Sequence, residues 1–444
     1  MTTAAEGALL TRVGPGTPMG DLMRRYWIPA ALSSELERDG APVRMKLLGE
    51  KLVAFRDSAG RVGVMDHRCP HRCASLFLGR NEEGGIRCVY HGWKFDVTGT
   101  CMEMPSVPPH QGFRAKVRAK AYQTVERCGI VWVHMGAGAE APPLPALDAL
   151  DIPEEELGVS FIQRDCNWLQ ALEGDIDTSH FGFLHMGHVD PERMPENEPL
   201  RHTITSRAPE YQFIDSAWGT QYAAYRPTDQ GGTYWRFGTF LFPFWTQQPS
   251  SPFSGNANAR AWVPLDDEHT MFVFLWWKRG VSAMTEPQPR YKDGTPVGGT
   301  TRGNALLPNT TDWLGRFRMA ANPRNDWGLD RAAQQAGDIY SGINGIHLQD
   351  QAITESMEPI VDHSFEHLAP SDHMIARTRR RLLIAARALG EKGVPPPGVE
   401  DPGVYRGARS GFFVSNEVSD WQEIYARQLA MAARPGGSAQ ANAD

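Results

Sequence analysis

Between Cys69 and Phe95 the chain reads CPHRCASLFLGRNEEGGIRCVYHGWKF, with one cysteine and one histidine in Cys69-Pro-His71 and again in Cys88-Val-Tyr-His91. No other feature constrains the fold as strongly, because two separate segments must face each other for four donor side chains to meet at one centre. Gly84, Gly85 and Gly92 permit the tight turns this requires. A structural zinc site usually takes its sulfurs from one knuckle and its imidazoles from elsewhere. Here each segment supplies one of each, which fits a [2Fe-2S] cluster with one iron on two thiolates and the other on two imidazoles. Zinc, or a chance match to a short pattern, is the alternative.

The rest of the composition sets the surroundings. The chain has 444 residues, 41% hydrophobic and 22% charged, which is material for two globular domains. A formal net charge of -7 leaves no basic surplus to neutralise phosphates, so no nucleic-acid partner is expected. Residues 1–20 lack the basic start and apolar core of a signal peptide, and no run approaches the roughly 18 apolar residues of a membrane span. A cytoplasmic location without a membrane partner is therefore expected. The six cysteines (69, 73, 88, 101, 128 and 166) are too few for a disulfide scaffold, and in a reducing compartment clustered thiols more often hold metal. Cys73, Cys101, Cys128 and Cys166 read as buried, inert side chains.

Hydrophobic periodicity divides the chain. Residues 24–137 contain short β-type runs broken by Gly and Pro, among them PVRMKLLG, KLVAFRD and RVGVMD, and read as an all-β domain. Residues 138–158, rich in Ala, Pro and acid, suit an exposed linker. Residues 159–435 alternate aromatic strands with helical stretches such as SDHMIARTRRRLLIAARALGEKG, so the second domain is α+β. Residues 1–23 are expected to pack on the core, and 285–313 read as a long functional loop. Arg377, Arg379, Arg380 and Arg381 read as a solvated helix face, with a docking patch for an acidic partner as the minority option.

A second constellation follows in NWLQALEGDIDTSHFGFLHMGH, residues 167–188. On one helix Glu173, Asp177 and His180 would share a face, and a bend at Gly182 would bring His185 round. Two imidazoles and one carboxylate on one face, with the other face open, suit a mononuclear non-heme Fe(II) site. Taken alone, the same histidines read equally as core or surface residues.

Together, Cys-x-His, Cys-x-x-His and a later Asp-x-x-His-x-x-x-x-His resemble the Rieske non-heme iron ring-hydroxylating oxygenases. GPGTPMGDLMRRYW, NDWGLDR (325–331) and residues 344–383 resemble the phthalate dioxygenase-like subgroup, and the likeness runs from about residue 12 to residue 385. Tyr90 stands where respiratory Rieske proteins carry a second-loop cysteine, which resembles the low-potential, oxygenase-type branch. The resemblance implies that Cys69, His71, Cys88 and His91 hold the cluster and that His180, His185 and Asp350 hold the iron. It implies that Asp177 bridges His91 and an iron histidine across a subunit interface, with Glu173 helping to orient the site. Asp362 and Asp372 rival Asp350 by composition only, and Asp362-His363-Ser364 departs from the Asp-Arg-Ser expected there. His188 lies outside the signature and reads as structural.

The resemblance also implies a catalytic domain with a curved antiparallel sheet around a helix, of the helix-grip or START-like kind. It implies a homotrimer or stacked trimers, in which the cluster of one subunit serves the iron of the next. The resemblance implies that electrons come from NADH or NADPH through a separate FMN and [2Fe-2S] reductase, and the chain itself has no G-x-G-x-x-G fingerprint after a strand. The implied function is the oxygenase component of a two-component system that uses O2 to hydroxylate an aromatic carboxylate of the phthalate, benzoate or phenoxybenzoate kind. O-demethylation of a methoxylated aromatic acid is the alternative, and a Rieske electron-transfer protein the remote one. An anionic substrate calls for a cation in the pocket. Arg207, Arg226 and Arg236, set among Tyr222, Tyr225, Tyr234 and Trp235, are the candidates, and outward-facing strand positions are the alternative for each.

Overall fold

Several strands of the first domain are buried on both faces, and the alternation of their side chains shows how the molecule is assembled. The computed structural model describes residues 2–435 except 137, 139, 230, 283, 284, 286, 298–304 and 417–419. Residues 286 and 298–304 of the expected loop 285–313 thus lie outside the described residues. The strands are β1 (Trp27–Leu32), β2 (Val43–Leu47), β3 (Glu50–Arg56), β4 (Val62–Asp66), β5 (Arg80–Glu82), β6 (Gly85–Arg87), β7 (Lys94–Phe95), β8 (Cys101–Glu103), β9 (Ala121–Arg127) and β10 (Ile130–His134). They form a six-stranded sheet in the order β1-β10-β9-β4-β3-β2 and a four-stranded sheet β5-β6-β7-β8. On β3, Leu52 and Ala54 enter the large core of the molecule, while Val53 and Phe55 enter a smaller core with Leu76, Ile86 and Phe95. Period-two alternation thus lets one strand serve two cores. The smaller core carries the two cysteine segments, one between β4 and β5 and one between β6 and β7.

The second sheet is built from β11 (Leu157–Arg164), β12 (Glu210–Ser216), β13 (Gly219–Pro227), β14 (Thr233–Leu241), β15 (Trp245–Gln247), β16 (Asn258–Pro264), β17 (Thr270–Trp277) and β18 (Gly411–Ser415). Its order is β11-β17-β16-β15-β14-β13-β12, with β18 also pairing β14, and all the pairings are antiparallel. The helices are α1 (Ala4–Thr11), α2 (Pro18–Met23), α3 (Trp168–Ile176), α4 (Phe181–Leu184), α5 (Arg201–Thr205), α6 (Arg331–Ala336), α7 (Ile346–Glu355), α8 (His373–Lys392) and α9 (Trp421–Met431). Helix α3 lies against β14, β15 and β16, helix α8 against β13, and α7 against α3. This is an α+β domain whose antiparallel sheet packs against its helices, beside an all-β domain. No helix among the described residues is long and apolar enough to cross a membrane.

One core crosses the domain boundary. Trp132 of β10 stacks on Trp245 of β15 with centroids 5.8 Å apart, and Leu10, Met19 and Leu22 of the N-terminal helices join the same cluster. Each such large apolar side chain contributes about 1.5–3 kcal/mol on burial.

Three expectations need correction. The stretch 138–158 is not a freely exposed linker, because Leu147, Leu150 and Ile152 enter the main core and Asp148 is buried beside Arg409 at 3.3 Å. The α8 arginines are not one solvated face. Arg379 is buried, and Arg381 bonds the Ser216 and Gly219 carbonyls, because the apolar stripe of the helix passes through Thr378, Leu382 and Ala386 and takes its neighbours inward. Cys73 is exposed and Cys128 only half-buried, whereas Cys101 and Cys166 are buried as expected.

Candidate metal centres

The two cysteine segments fold as near-copies of one another. The N–H of Cys69 bonds the Ala74 carbonyl and that of Cys88 the Trp93 carbonyl, each at 2.8 Å. Each cysteine carbonyl then accepts from the residue four positions on, Cys73 or Gly92, at 2.9 Å. That fourth residue is left-handed in both loops, with φ 60° at Cys73 and 74° at Gly92, the region glycine enters without cost. Both sulfurs are buried and face one another, and burial pushes the Cys69 thiol up to about 12. The His71 and His91 rings approach to 4.4 Å between centroids, and His71 stacks on Trp93 at 4.3 Å. Nδ1 of His91 is buried without a partner. Two facing thiols, two adjacent imidazoles and an orphaned ring nitrogen fit the donor set of a [2Fe-2S] cluster.

The second centre depends on where α3 stops. The expected helical face from Glu173 to His180 does not form, because Asp177 caps α3 in an extended conformation and its carboxylate accepts the Ser179 N–H at 2.7 Å. This Asx turn redirects the chain, and α4 begins at once. His180 and His185 are the caps of that short helix, so their rings lie 5.2 Å apart. Asp350, on α7, completes the set. Its Oδ1 lies 3.5 Å from His180 Nε2 and 3.3 Å from His185 Nε2, and one ligand atom from each of the three lies within 4.8 Å of the others. Burial opposes ionisation of Asp350, yet the two rings bring its carboxyl well below the usual range. Burial pulls the His180 ring down, but Asp177 and Asp350 push it up to about 9. Two imidazoles and one carboxylate converging within 4.8 Å match the donor set of non-heme Fe(II) sites. Asp362 and Asp372 instead cap their own local turns.

The supporting bonds reveal a residue the sequence reading missed. Gln349 is fully buried; its Oε1 faces His185 Nδ1 at 2.7 Å, and its Nε2 donates to Ser341 Oγ and the Ile343 carbonyl, both at 2.8 Å. It orients the ring from behind, and its place in the Gln-Asp pair was the available signal. His188 is buried and bonded to Asn344 at 2.9 Å, a structural role as expected. Asp177 Oδ2 lies 3.5 Å from His180 Nδ1, and its side chain is one-quarter exposed. Glu173 does not reach the centre. Both its oxygens accept from Arg379 at 2.6 Å, tying α3 to α8.

A cavity adjoins His180 and Asp350, walled by Trp262, Phe272, Arg164, Arg260 and His347 among others. Burial pushes the His347 ring down to about 3, with the Arg164 cation acting in the same direction. The three arginines expected in this place are elsewhere. Arg207 is exposed over the Phe183 ring. Arg226 is buried beside Tyr234 and touches neither this cavity nor the metal ligands. Arg236 is held by hydroxyls of Thr178, Thr203 and Tyr234 and borders a smaller neighbouring cavity with Gln248. Arg164 and Arg260 were missed, since strand register decides which inward residues meet the helix.

A Rieske cluster site and a facial triad in one chain define a terminal oxygenase of the two-metal kind. The comparisons agree: residues 26–122 match the Rieske [2Fe-2S] domain and residues 133–442 a LigXa C-terminal domain like family. The chain is 52% identical to the oxygenase subunit of 3-chlorobenzoate-3,4-dioxygenase from Comamonas testosteroni, over 97% of this chain and 99% of that one. It is 38% identical to the oxygenase subunit of phthalate 4,5-dioxygenase from Pseudomonas putida, over 97% and 96%. The fold matches a crystal structure of dicamba monooxygenase bound to dicamba with a TM-score of 0.54, over 83% and 99%, at 16% identity. The chain belongs to the Rieske non-heme iron oxygenases, as an oxygenase subunit of the phthalate dioxygenase-like subgroup. Its cofactors are a Rieske [2Fe-2S] cluster and a mononuclear non-heme iron.

Proposed function

We propose that the chain oxygenates an aromatic carboxylate of the benzoate or phthalate kind, taking electrons from an NAD(P)H-dependent FMN and [2Fe-2S] reductase. The observation that carries this reading is the triad of His180, His185 and Asp350, two of whose members, His180 and Asp350, line a cavity with aromatic rings and guanidinium groups. The similarity to a chlorobenzoate and a phthalate dioxygenase subunit supports the substrate class. Cys69, His71, Cys88 and His91 would hold the cluster, and His180, His185 and Asp350 the iron. When bound, the iron supplies dioxygen activation and the cluster supplies electrons one at a time.

The protein's own groups do the rest. Gln349 and Asp177 each face one ring nitrogen of an iron histidine and leave the other for the metal. Asp177 would link His180 to His91 of the partner subunit. Exposed Leu78, Val89 and Tyr90 beside the cluster loops, and exposed Phe183, Ile353 and Met357 beside the triad, support a head-to-tail contact between copies. A head-to-tail contact whose rotation closes gives a ring, and the ring proposed here is a trimer or stacked trimers.

The test supplies a surrogate reductase, NADH and a panel of aromatic acids, methoxybenzoates and neutral arenes, following oxygen uptake and product mass. A gain of two oxygens and two hydrogens on an acid marks dihydroxylation. Loss of CH2 with formaldehyde marks O-demethylation. Turnover of neutral arenes with none of any acid would overturn the anionic-substrate reading.

A further inference from the structure

The two cysteine loops are near-copies in backbone but not in the residue that closes each turn. The Cys69 N–H bonds the carbonyl of Ala74, and the Cys88 N–H bonds that of Trp93. A methyl group therefore stands in the first loop where an indole stands in the second. Trp93 crosses to the other loop: its ring lies against His71, nearly parallel at 14° with centroids 4.3 Å apart. His91 is flanked instead by Tyr90, tilted at 43° with centroids 3.9 Å apart. Trp93 is 3% exposed and Tyr90 54%, so one imidazole meets a buried plate and the other an exposed one.

Other contacts fix the indole. Its Nε1 donates to Ser106 Oγ at 2.9 Å, and the Phe113 ring meets it edge-on at 6.2 Å. Pro105 packs so closely on the preceding Gly92 that a Cβ there would lie 2.7 Å from the proline Cγ. Trp93 also shares the smaller core with Leu76, Phe95 and Met104. A buried aromatic ring with its one donor satisfied holds a single orientation.

We infer that Trp93 sets the reduction potential of the cluster, its indole holding the His71 ring in place and keeping water from that flank. The inference rests on the reading that Cys69, His71, Cys88 and His91 hold the cluster. With two thiolates and two neutral imidazoles, an oxidised [2Fe-2S] cluster carries no net charge, and one added electron leaves it with a single negative charge. Excluding water disfavours the charged state of a buried group. A shield over His71 therefore disfavours reduction and lowers the potential, which makes the reduced cluster a stronger donor. Trp93 thereby closes the flank that the proposed bridge from His91 to Asp177 does not use.

The test is a redox titration of the iron-loaded holoenzyme and its Trp93→Ala, Trp93→Phe and Ser106→Ala variants. It follows the paramagnetic resonance of the reduced cluster, with iron and sulfide quantified. Trp93→Ala should favour reduction about tenfold, which for one electron is a rise of about 59 mV. Trp93→Phe keeps a ring over His71 and should move the equilibrium by less than about threefold in the same direction. Ser106→Ala releases the indole and should raise it by about twofold. Pulsed spectra in D2O should show stronger deuteron couplings in Trp93→Ala, which report water entering beside the cluster. A potential that stays or falls in Trp93→Ala with the cluster intact, a rise without added deuteron coupling, or a Trp93→Phe shift as large as that of Trp93→Ala would each overturn the inference. Should Trp93→Ala hold no cluster, Ser106→Ala decides: a raised potential supports the inference and an unchanged or lowered one overturns it. Nitrogen couplings from fewer than two imidazoles in the wild type would overturn the ligand reading, whereas two such couplings with an unmoved potential would overturn the role of Trp93 alone.

Discussion

Glu173 separates two accounts of the iron helix, since family resemblance makes it an orienter of the site and the structure makes it a bolt between helices. Both its oxygens accept from Arg379 at 2.6 Å, and the side chains are 8% and 3% exposed. Removing one partner of a buried ion pair typically costs about 3–5 kcal/mol. Here Glu366 still faces Arg379 at 2.5 Å and shares its charge, so Glu173→Gln should cost about 2–3 kcal/mol. For a chain of 444 residues each kcal/mol corresponds to about 1 °C, so the melting temperature should fall by about 2–3 °C. The assay is a thermal scan at one fixed rate, with iron quantified and benzoate binding measured on the same preparation. Iron content and benzoate affinity should stay near wild type, because no Glu173 oxygen reaches His180, His185 or Asp350. The paired change Glu173→Leu with Arg379→Leu should recover much of the stability, since it removes both buried charges together. A Glu173→Gln protein of unchanged melting temperature that has lost its mononuclear iron would refute the argument.

Asp350→Ala should lower iron from about three per chain to about two while keeping the visible absorption of the cluster, and Asp362→Ala should change neither; the reverse pattern would move the third ligand. Gln349→Leu strips the partner from His185 Nδ1 and should weaken iron binding by about 10–100-fold in a chelator competition, with affinity equal to wild type counting against it. His71→Cys should shift or abolish the low-field paramagnetic resonance of the reduced cluster with secondary structure retained by circular dichroism; an identical spectrum would remove His71 from the ligand set.

What was legible from the sequence was local. Cys69-Pro-His71 and Cys88-Val-Tyr-His91 each lie within one turn, so spacing alone exposed them, and runs such as KLVAFRD declared their strands because side-chain alternation is a property of a few residues. His180 and His185 were likewise within reach of each other along the chain, although the Asx turn at Asp177 was misread as continuous helix despite the Asp-Thr-Ser signal. Asp350 came from family likeness, as its distance along the chain carries no contact information. The tertiary structure alone decided which charges meet. Arg379 could have been placed inside by the apolar stripe of its own helix, but its partners Glu173 and Glu366 come from other elements. Arg164 reaches the cavity because β11 pairs with β17 and β17 with β16, bringing it over Trp262, and because α7 then covers it with Thr354. Side-chain periodicity states which way a residue points, whereas register and packing across separate elements state what it points at, and an ion pair exists only in the second.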